Sequence, residues 1–274
     1  MRIIDYFDRS ADTHPARPFL IDGLGTRSYG ETQAATHQIA NCLIAVGVAE
    51  GTKVAVLSPN CAAAFECVLG VNRAGAVWVP LNYRNSVDGN VHILEAFDVD
   101  VLLYHTSLEQ SADIYRERVL RLARCLCFDG DGPESLAVAS AGTAARAPDG
   151  LGAGIETIVS IFSTGGTTGT PKGVMHKNLN WIAQIASMAA GFPVRTPPVH
   201  LVVAPLTHAA GALSIILTAQ GATHVILPGF DAAAVLAAIA RYRVTHLFLP
   251  PTAIYALLAD PNIGRHDYGS LEYF

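Results

Sequence analysis

"SIFSTGGTTGTPKGVMHKNL", Ser160 to Leu179, sets glycines, hydroxyl side chains and one lysine between two apolar runs. Whether it folds as strand–loop–helix or strand–loop–strand decides the architecture around it. A Walker A loop, G-x-x-x-x-G-K-[ST], needs glycine before its lysine, a hydroxyl after it, and a helix whose first amides hold the phosphate. Here Lys172 follows Pro171 and precedes Gly173. Pro171 removes an amide, Gly173 weakens a helix, and Val174–His176 reads as extended. The stretch therefore predicts a strand, a glycine-rich loop and a short second strand. Gly165, Gly166 and Gly169 permit close backbone approach. Ser163, Thr164, Thr167, Thr168 and Thr170 supply hydroxyls, and Lys172 a mobile positive charge. Amides of such a turn form an anion-binding concavity, so phosphate is the expected ligand. A solvated hairpin turn is the plain alternative, and it needs only one or two of these residues. With few packing contacts, the turn from Thr164 to Gly169 is expected to open easily.

Outward from the loop, helical and strand patterns alternate. Ser28 and Glu31 have capping-box spacing at the head of a helix running toward Gly47. Residues 53–59, 76–81, 99–105 and 124–129 read as buried strands, with helices over 60–74, about 86–97 and about 111–122 between them. Residues 130–154 turn to Gly, Ala, Ser, Pro and Asp, a flexible surface connection. Beyond it, strands at 157–163, 200–206, 223–230 and 244–250 alternate with helices at 178–190, 209–219, 231–242 and 251–259, and 271–274 begins a further strand. Repeated βα units give mainly parallel sheets covered by helices. The expected fold is α/β in two lobes, about 1–150 and 155–274, layered as αβαβα and joined by the phosphate loop.

Only 15% of the residues are charged, against roughly 25% in an average soluble domain, so much of the chain is expected to be buried. The most apolar stretch, Ala209–Ala222, is interrupted by Ser214, Thr218 and Gln220 and falls short of the ~18 residues of a membrane span. The N-terminal "MRIIDYFDRSADTHP" carries acids early and lacks a signal peptide's apolar centre, so a cytoplasmic protein is expected. A net charge of −5 with scattered basic residues leaves no polybasic footprint for nucleic acid. Cys42, Cys61, Cys67, Cys125 and Cys127 form no C-x-x-C pair and read as reduced thiols, Cys125 and Cys127 packing on one face of a strand. No metal-ligating set stands out.

The motif "STGGTTGTPKGV" (163–174) resembles the glycine-rich loop of the adenylate-forming superfamily, which holds acyl-CoA synthetases, luciferases and peptide-synthetase adenylation domains. "RSYGE" (27–31), "NRAGAVWVPLNYRNS" (72–86), "PLTHAAG" (205–211) and "LFLPPTAIYALL" (247–258) resemble further blocks of that family in the same order, so the likeness spans nearly the whole chain. "PLTHAAG" and "PLNYR" lean toward acyl-CoA synthetases.

The resemblance implies that a carboxylic acid, with fatty acids the first expectation, is activated by ATP to an acyl-adenylate and then passed to coenzyme A. It assigns Ser163, Thr164, Gly165, Gly166, Thr167, Thr168, Gly169, Thr170 and Lys172 to the ATP phosphates, with Lys172 also catalytic on the departing pyrophosphate. Mg²⁺ would arrive on the ATP phosphates. His208 would lie beside the acyl site and the α-phosphate; a histidine that caps or packs at a helix start is its structural alternative. Thr207 stands where a bulky apolar residue is often found. Arg84 reads as solvated, His176 as packed or at the surface, and Pro250–Thr252 as helix punctuation. The family's adenine and ribose contacts, its Mg²⁺ glutamate, its hinge and its C-terminal domain with the adenylation lysine have no counterpart in these residues. The implied protein is thus an N-terminal region cut before the C-terminal domain, inactive alone, with homodimerisation open. The rival readings are a phosphotransferase or NTPase using the same loop, a non-catalytic nucleotide-binding or assembly module, and an adenylating enzyme with a different acyl acceptor.

Overall fold

A computed structural model describes residues 1–148, 154–164 and 172–274. In chain order the elements are α1 (Ile3–Thr13), β1 (Pro18–Asp22), β2 (Gly25–Ser28), α2 (Tyr29–Ala45), β3 (Lys53–Leu57), α3 (Ala62–Arg73), β4 (Val77–Leu81), α4 (Val87–Ala96), β5 (Val101–Tyr104), α5 (Glu109–Arg118), β6 (Arg124–Cys127) and α6 (Leu136–Ala139). They continue with β7 (Ile158–Thr164), β8 (Lys172–Lys177), α7 (Asn178–Gly191), β9 (Val199–Val202), α8 (Ala209–Thr218), β10 (Thr223–Ile226), α9 (Ala232–Tyr242), β11 (His246–Leu247) and α10 (Pro251–Leu258).

Two compact units form, and they are interleaved in sequence. The first holds Met1–Asp5, Glu31–Pro59 and Ala63–Ile182. Its six-stranded sheet runs β6-β5-β3-β4-β7-β8, parallel except for the antiparallel final pair. Strands such as "KVAVL" and "VWVPL" are nearly continuous apolar runs because both faces of a parallel sheet are covered. Leu57, Val79, Leu81, Leu94, Leu102 and Ile161 meet in its core. Cys125 is buried in that core and Cys127 packs against it, the packing role expected of them. Gly75, at φ +74°, turns the chain from α3 into β4, a conformation that costs glycine nothing.

The second unit holds Tyr6–Gly30, Asn60–Ala62 and Ala183–Phe274. Its five-stranded sheet runs β11-β9-β10-β1-β2, parallel except for β1–β2. Leu201, Val225, Leu236, Ile239 and Leu247 form its core. The Asp231 carboxylate accepts from the Ala234 amide at 2.8 Å and starts α9.

The division expected near residue 150 follows a change of composition, and the compact units cut elsewhere. β7 and β8 pair onto the first sheet, while Leu20 and Ile21 of β1 pair with His224 and Val225 of the second. The helix α1 and the hairpin β1–β2 extend the sequence reading. The strand expected over 244–250 shrinks to two residues, and the strand expected at 271–274 is one bridge between His246 and Tyr273. The remaining predicted elements appear within a few residues of their expected bounds. Among the described residues no helix is long and apolar enough to cross a membrane.

Candidate active site

In the first unit the two segments that flank the glycine-rich motif are strands paired antiparallel, as the departure from the Walker pattern requires. β7 and β8 pair from Ile158↔Lys177 to Thr164↔Lys172, the last pair before the turn. Thr164 Oγ1 donates to the Lys172 carbonyl at 3.3 Å, and Ser163 faces Gly173. The structure thus brings Ser163, Thr164 and Lys172 to one hairpin base. Gly165, Gly166, Thr167, Thr168, Gly169 and Thr170, with their expected phosphate contacts and ease of opening, lie outside the described residues. Because β7 runs parallel to β4, Thr164 lies at the carboxyl end of the parallel strands, where α/β sheets present ligand sites.

The hairpin base is held from behind. Phe162 meets the Trp78 and His176 rings edge to face at 5.1 and 5.3 Å, and Trp181 Nε1 donates to Ser160 Oγ at 3.1 Å. Burial pushes the His176 pKa down, and its role is packing. Gly173 is fixed by contact: a Cβ there would lie 2.7 Å from Ile161 Cγ2 and 3.0 Å from the Phe97 ring. Lys172 and Thr164 are exposed, and none of the ion pairs among the described residues involves Lys172. Lys172 therefore sits opposite Thr164 with no carboxylate of the described residues paired to its ammonium. That arrangement suits an anion.

His208 belongs to the second unit, at the carboxyl end of β9. It is the N-cap residue of α8, yet its side chain makes no cap hydrogen bond, which removes capping as its purpose. Its amide donates to the Pro205 carbonyl at 3.1 Å, and its carbonyl accepts from Gly211 at 3.0 Å and Ala212 at 3.2 Å. Although exposed by surface area, the imidazole is partly desolvated by surrounding protein, which lowers its pKa. It is neutral at pH 7 and can donate to a carboxylate without carrying charge. The neighbouring Thr207 Oγ1 is buried with no hydrogen-bond partner.

The lesser candidates settle locally. Arg84 Nε donates to Tyr83 Oη at 3.1 Å and its guanidinium lies over the Tyr83 ring, at an exposed position. Pro251 takes the first turn of α10, as punctuation. Two residues to which the sequence reading gave no role of their own shape the His208 loop: Asn60 and Gly211. Asn60 gave no signal, being a lone polar residue ahead of an alanine-rich helix. Among the described residues no group of three or more His, Cys, Asp or Glu is placed to hold a metal ion.

Comparison with known proteins adds to this geometry. The AMP-binding enzyme family profile matches residues 7–274. A feruloyl-CoA synthase from an Amycolatopsis species is 33% identical over 248 residues, 89% of this chain and 48% of its own. The long-chain-fatty-acid–CoA ligase FadD13 of Mycobacterium tuberculosis is 30% identical over 249 residues, 90% of this chain and 49% of its own. The solved structure of the amide bond synthetase McbA from Marinactinospora thermotolerans superposes with a TM-score of 0.85 at 27% identity, covering 99% of this chain and 54% of that one. The chain spans about half the length of the curated relatives it matches.

Proposed function

The chain belongs to the AMP-binding enzyme family, and from that premise we propose that it forms the phosphate-gripping and acyl-site region of an AMP-forming acid–CoA ligase. The observation that carries the reading is the paired base Thr164–Lys172, which sets hydroxyls and one unneutralised ammonium at the carboxyl end of a parallel sheet. Charge builds on pyrophosphate as the acyl-adenylate forms. Fixed donors that meet this charge lower the barrier, each charge-assisted hydrogen bond contributing about 1.5–3 kcal/mol. In this reading Ser163, Thr164 and the glycine–threonine turn through Thr170 hold the β and γ phosphates. Lys172 stabilises the departing pyrophosphate, and the neutral His208 donates to the acyl carboxylate and orients it.

Mg²⁺ would arrive on the ATP phosphates and not on a protein ligand set, since among the described residues no group of carboxylates or histidines is placed to hold it. The acid is a fatty or an aryl-substituted carboxylic acid, the two classes named for the relatives. A cytoplasmic location belongs to the same proposal. One second reading has a specific support. The likeness to an amide bond synthetase favours an adenylating enzyme whose acyl acceptor is an amine. In a protein carrying both halves of the relatives' length, product that needs CoA supports the ligase, and product that needs an amine supports the second reading.

The phosphate assignment is tested on the 274-residue protein by calorimetry with pyrophosphate, ATP and AMP. The β and γ phosphates carry the contact, so pyrophosphate and ATP bind and AMP binds at least tenfold more weakly, about 1.4 kcal/mol. Equal binding of AMP would contradict the assignment.

A further inference from the structure

The loop between β9 and α8, residues 203–208, carries His208. What holds it comes from far upstream. Asn60 is buried, and its carboxamide makes three hydrogen bonds to loop backbone. Nδ2 donates to the Val203 carbonyl at 3.3 Å and to the Ala204 carbonyl at 3.0 Å, and Oδ1 accepts from the Leu206 amide at 2.9 Å. The orientation of the carboxamide is forced, since carbonyls only accept and a backbone N–H only donates. Asparagine alone of the small side chains offers two donors and an acceptor in this planar array.

The anchor is itself anchored. Two residues on, the Ala62 amide donates to Asp22 Oδ2 at 2.9 Å, which ties the segment to the end of β1. On the other side, Pro205 lies between the gripped residues, and its carbonyl accepts the His208 amide at 3.1 Å. Gly211 completes the arrangement, its backbone lying so close to the Leu206 carbonyl that no side chain fits. Asn60, the gripped loop and His208 lie within one unit, linked by these hydrogen bonds and by the short backbone between the residues that make them.

We propose that Asn60 is the positioning residue of His208: its carboxamide fixes the backbone of Val203, Ala204 and Leu206 and so sets where the imidazole is presented to the acyl carboxylate. The inference rests on the reading of His208 as the acyl-site histidine. A leucine at 60 would fill the same volume and leave two buried carbonyls and one buried amide without partners.

The test labels the histidine side chains of the 274-residue protein with ¹⁵N and assigns His208 from a His208→Gln variant. Asn60→Leu removes all three hydrogen bonds, and Asn60→Asp keeps only the acceptor for Leu206. The expected result is that the His208 ring-nitrogen shifts move in both variants. Its titration rises toward the ordinary histidine value as the loop loosens, more in Asn60→Leu, while the ring-nitrogen shifts of the exposed His14 and His92 at fixed pH stay in place. Should Asn60→Leu fail to fold, Asn60→Asp and Asn60→Ser carry the same readout. An asparagine with a merely structural role would lower the unfolding midpoint and leave the His208 shifts and titration in place, which overturns the proposal. Titrating the wild type with short fatty and aryl carboxylates separates the two claims. His208 signals that move in the Asn60 variants and ignore every carboxylate retain the positioning role and remove the acyl-site reading. Signals that respond to carboxylates but not to Asn60 substitution do the reverse. With both claims right, the apparent carboxylate affinity falls about tenfold in Asn60→Leu.

Discussion

Gly211→Ala strikes the turn that presents His208. A Cβ at 211 would lie 1.8 Å from the Leu206 carbonyl oxygen and 2.8 Å from its carbon, both backbone atoms that no rotamer change can move aside. Side-chain carbons do not approach within 3.0 Å, so helix start and loop must part by at least the difference between 1.8 and 3.0 Å. That displacement exceeds the tolerance of the 2.9 Å bond from the Leu206 amide to Asn60 Oδ1. Overpacking costs about 1–3 kcal/mol and the lost hydrogen bond about 1 kcal/mol, so a loss of about 2–4 kcal/mol is expected. Both tryptophans, Trp78 and Trp181, lie in the first unit, so indole fluorescence reports on the wrong part of the molecule. Urea unfolding followed by circular dichroism, with hydrogen exchange over residues 199–226, reads the correct one. Gly191→Ala is the control, since nothing lies within 4 Å of a Cβ there. An unfolding midpoint for Gly211→Ala equal to that of Gly191→Ala would refute the argument.

Two further outcomes follow from burial. His200, His224 and His246 occupy one rung across β9, β10 and β11; burial holds His200 well below the ordinary histidine pKa, and His224 at about 3. The unfolded chain takes up protons near pH 6.5 and the folded one does not, so this stability is complete above pH 6.5 and drains away as the pH falls toward 3. His224→Gln should flatten the fall of the urea midpoint between pH 6.5 and 4, and an unchanged slope would count against the account. Gly173→Ala forces Ile161 and Phe97 to yield. It should lose about 1–2 kcal/mol and weaken pyrophosphate binding, whereas wild-type stability and binding would show that the contact gives way freely.

Much of the fold was legible because its strands are apolar runs and its helices carry local signals. Ser86 caps α4 and Asp231 caps α9, each the first residue of an expected helix. The N-terminal elements were harder. Ile3, Ile4, Phe7 and Ala11 are buried on one face of α1, a helical spacing, but the short strand "PFLID" gains its place only by pairing with β10, some two hundred residues away. Long-range pairing also explains the lobe boundary: the linker composition marks a flexible segment, while hydrogen bonding hands β1 to the second sheet and β7 to the first. In the candidate site, the residues that carry charge or hydroxyls announced themselves through their crowding. Asn60 and Gly211 did not. Their importance lies in backbone contacts with Val203, Ala204 and Leu206 that no spacing encodes.

The claim that the hairpin grips phosphate is tested most directly by titrating ¹⁵N-labelled protein with pyrophosphate, wild type beside Lys172→Ala. Lys172 is exposed, so the variant should fold as the wild type does. The account predicts that the Ser163, Thr164 and Lys172 amides shift on addition, and that Lys172→Ala binds at least tenfold more weakly with its spectrum otherwise intact. Equal affinity in the two proteins, or shifts that spare the hairpin base, would contradict it.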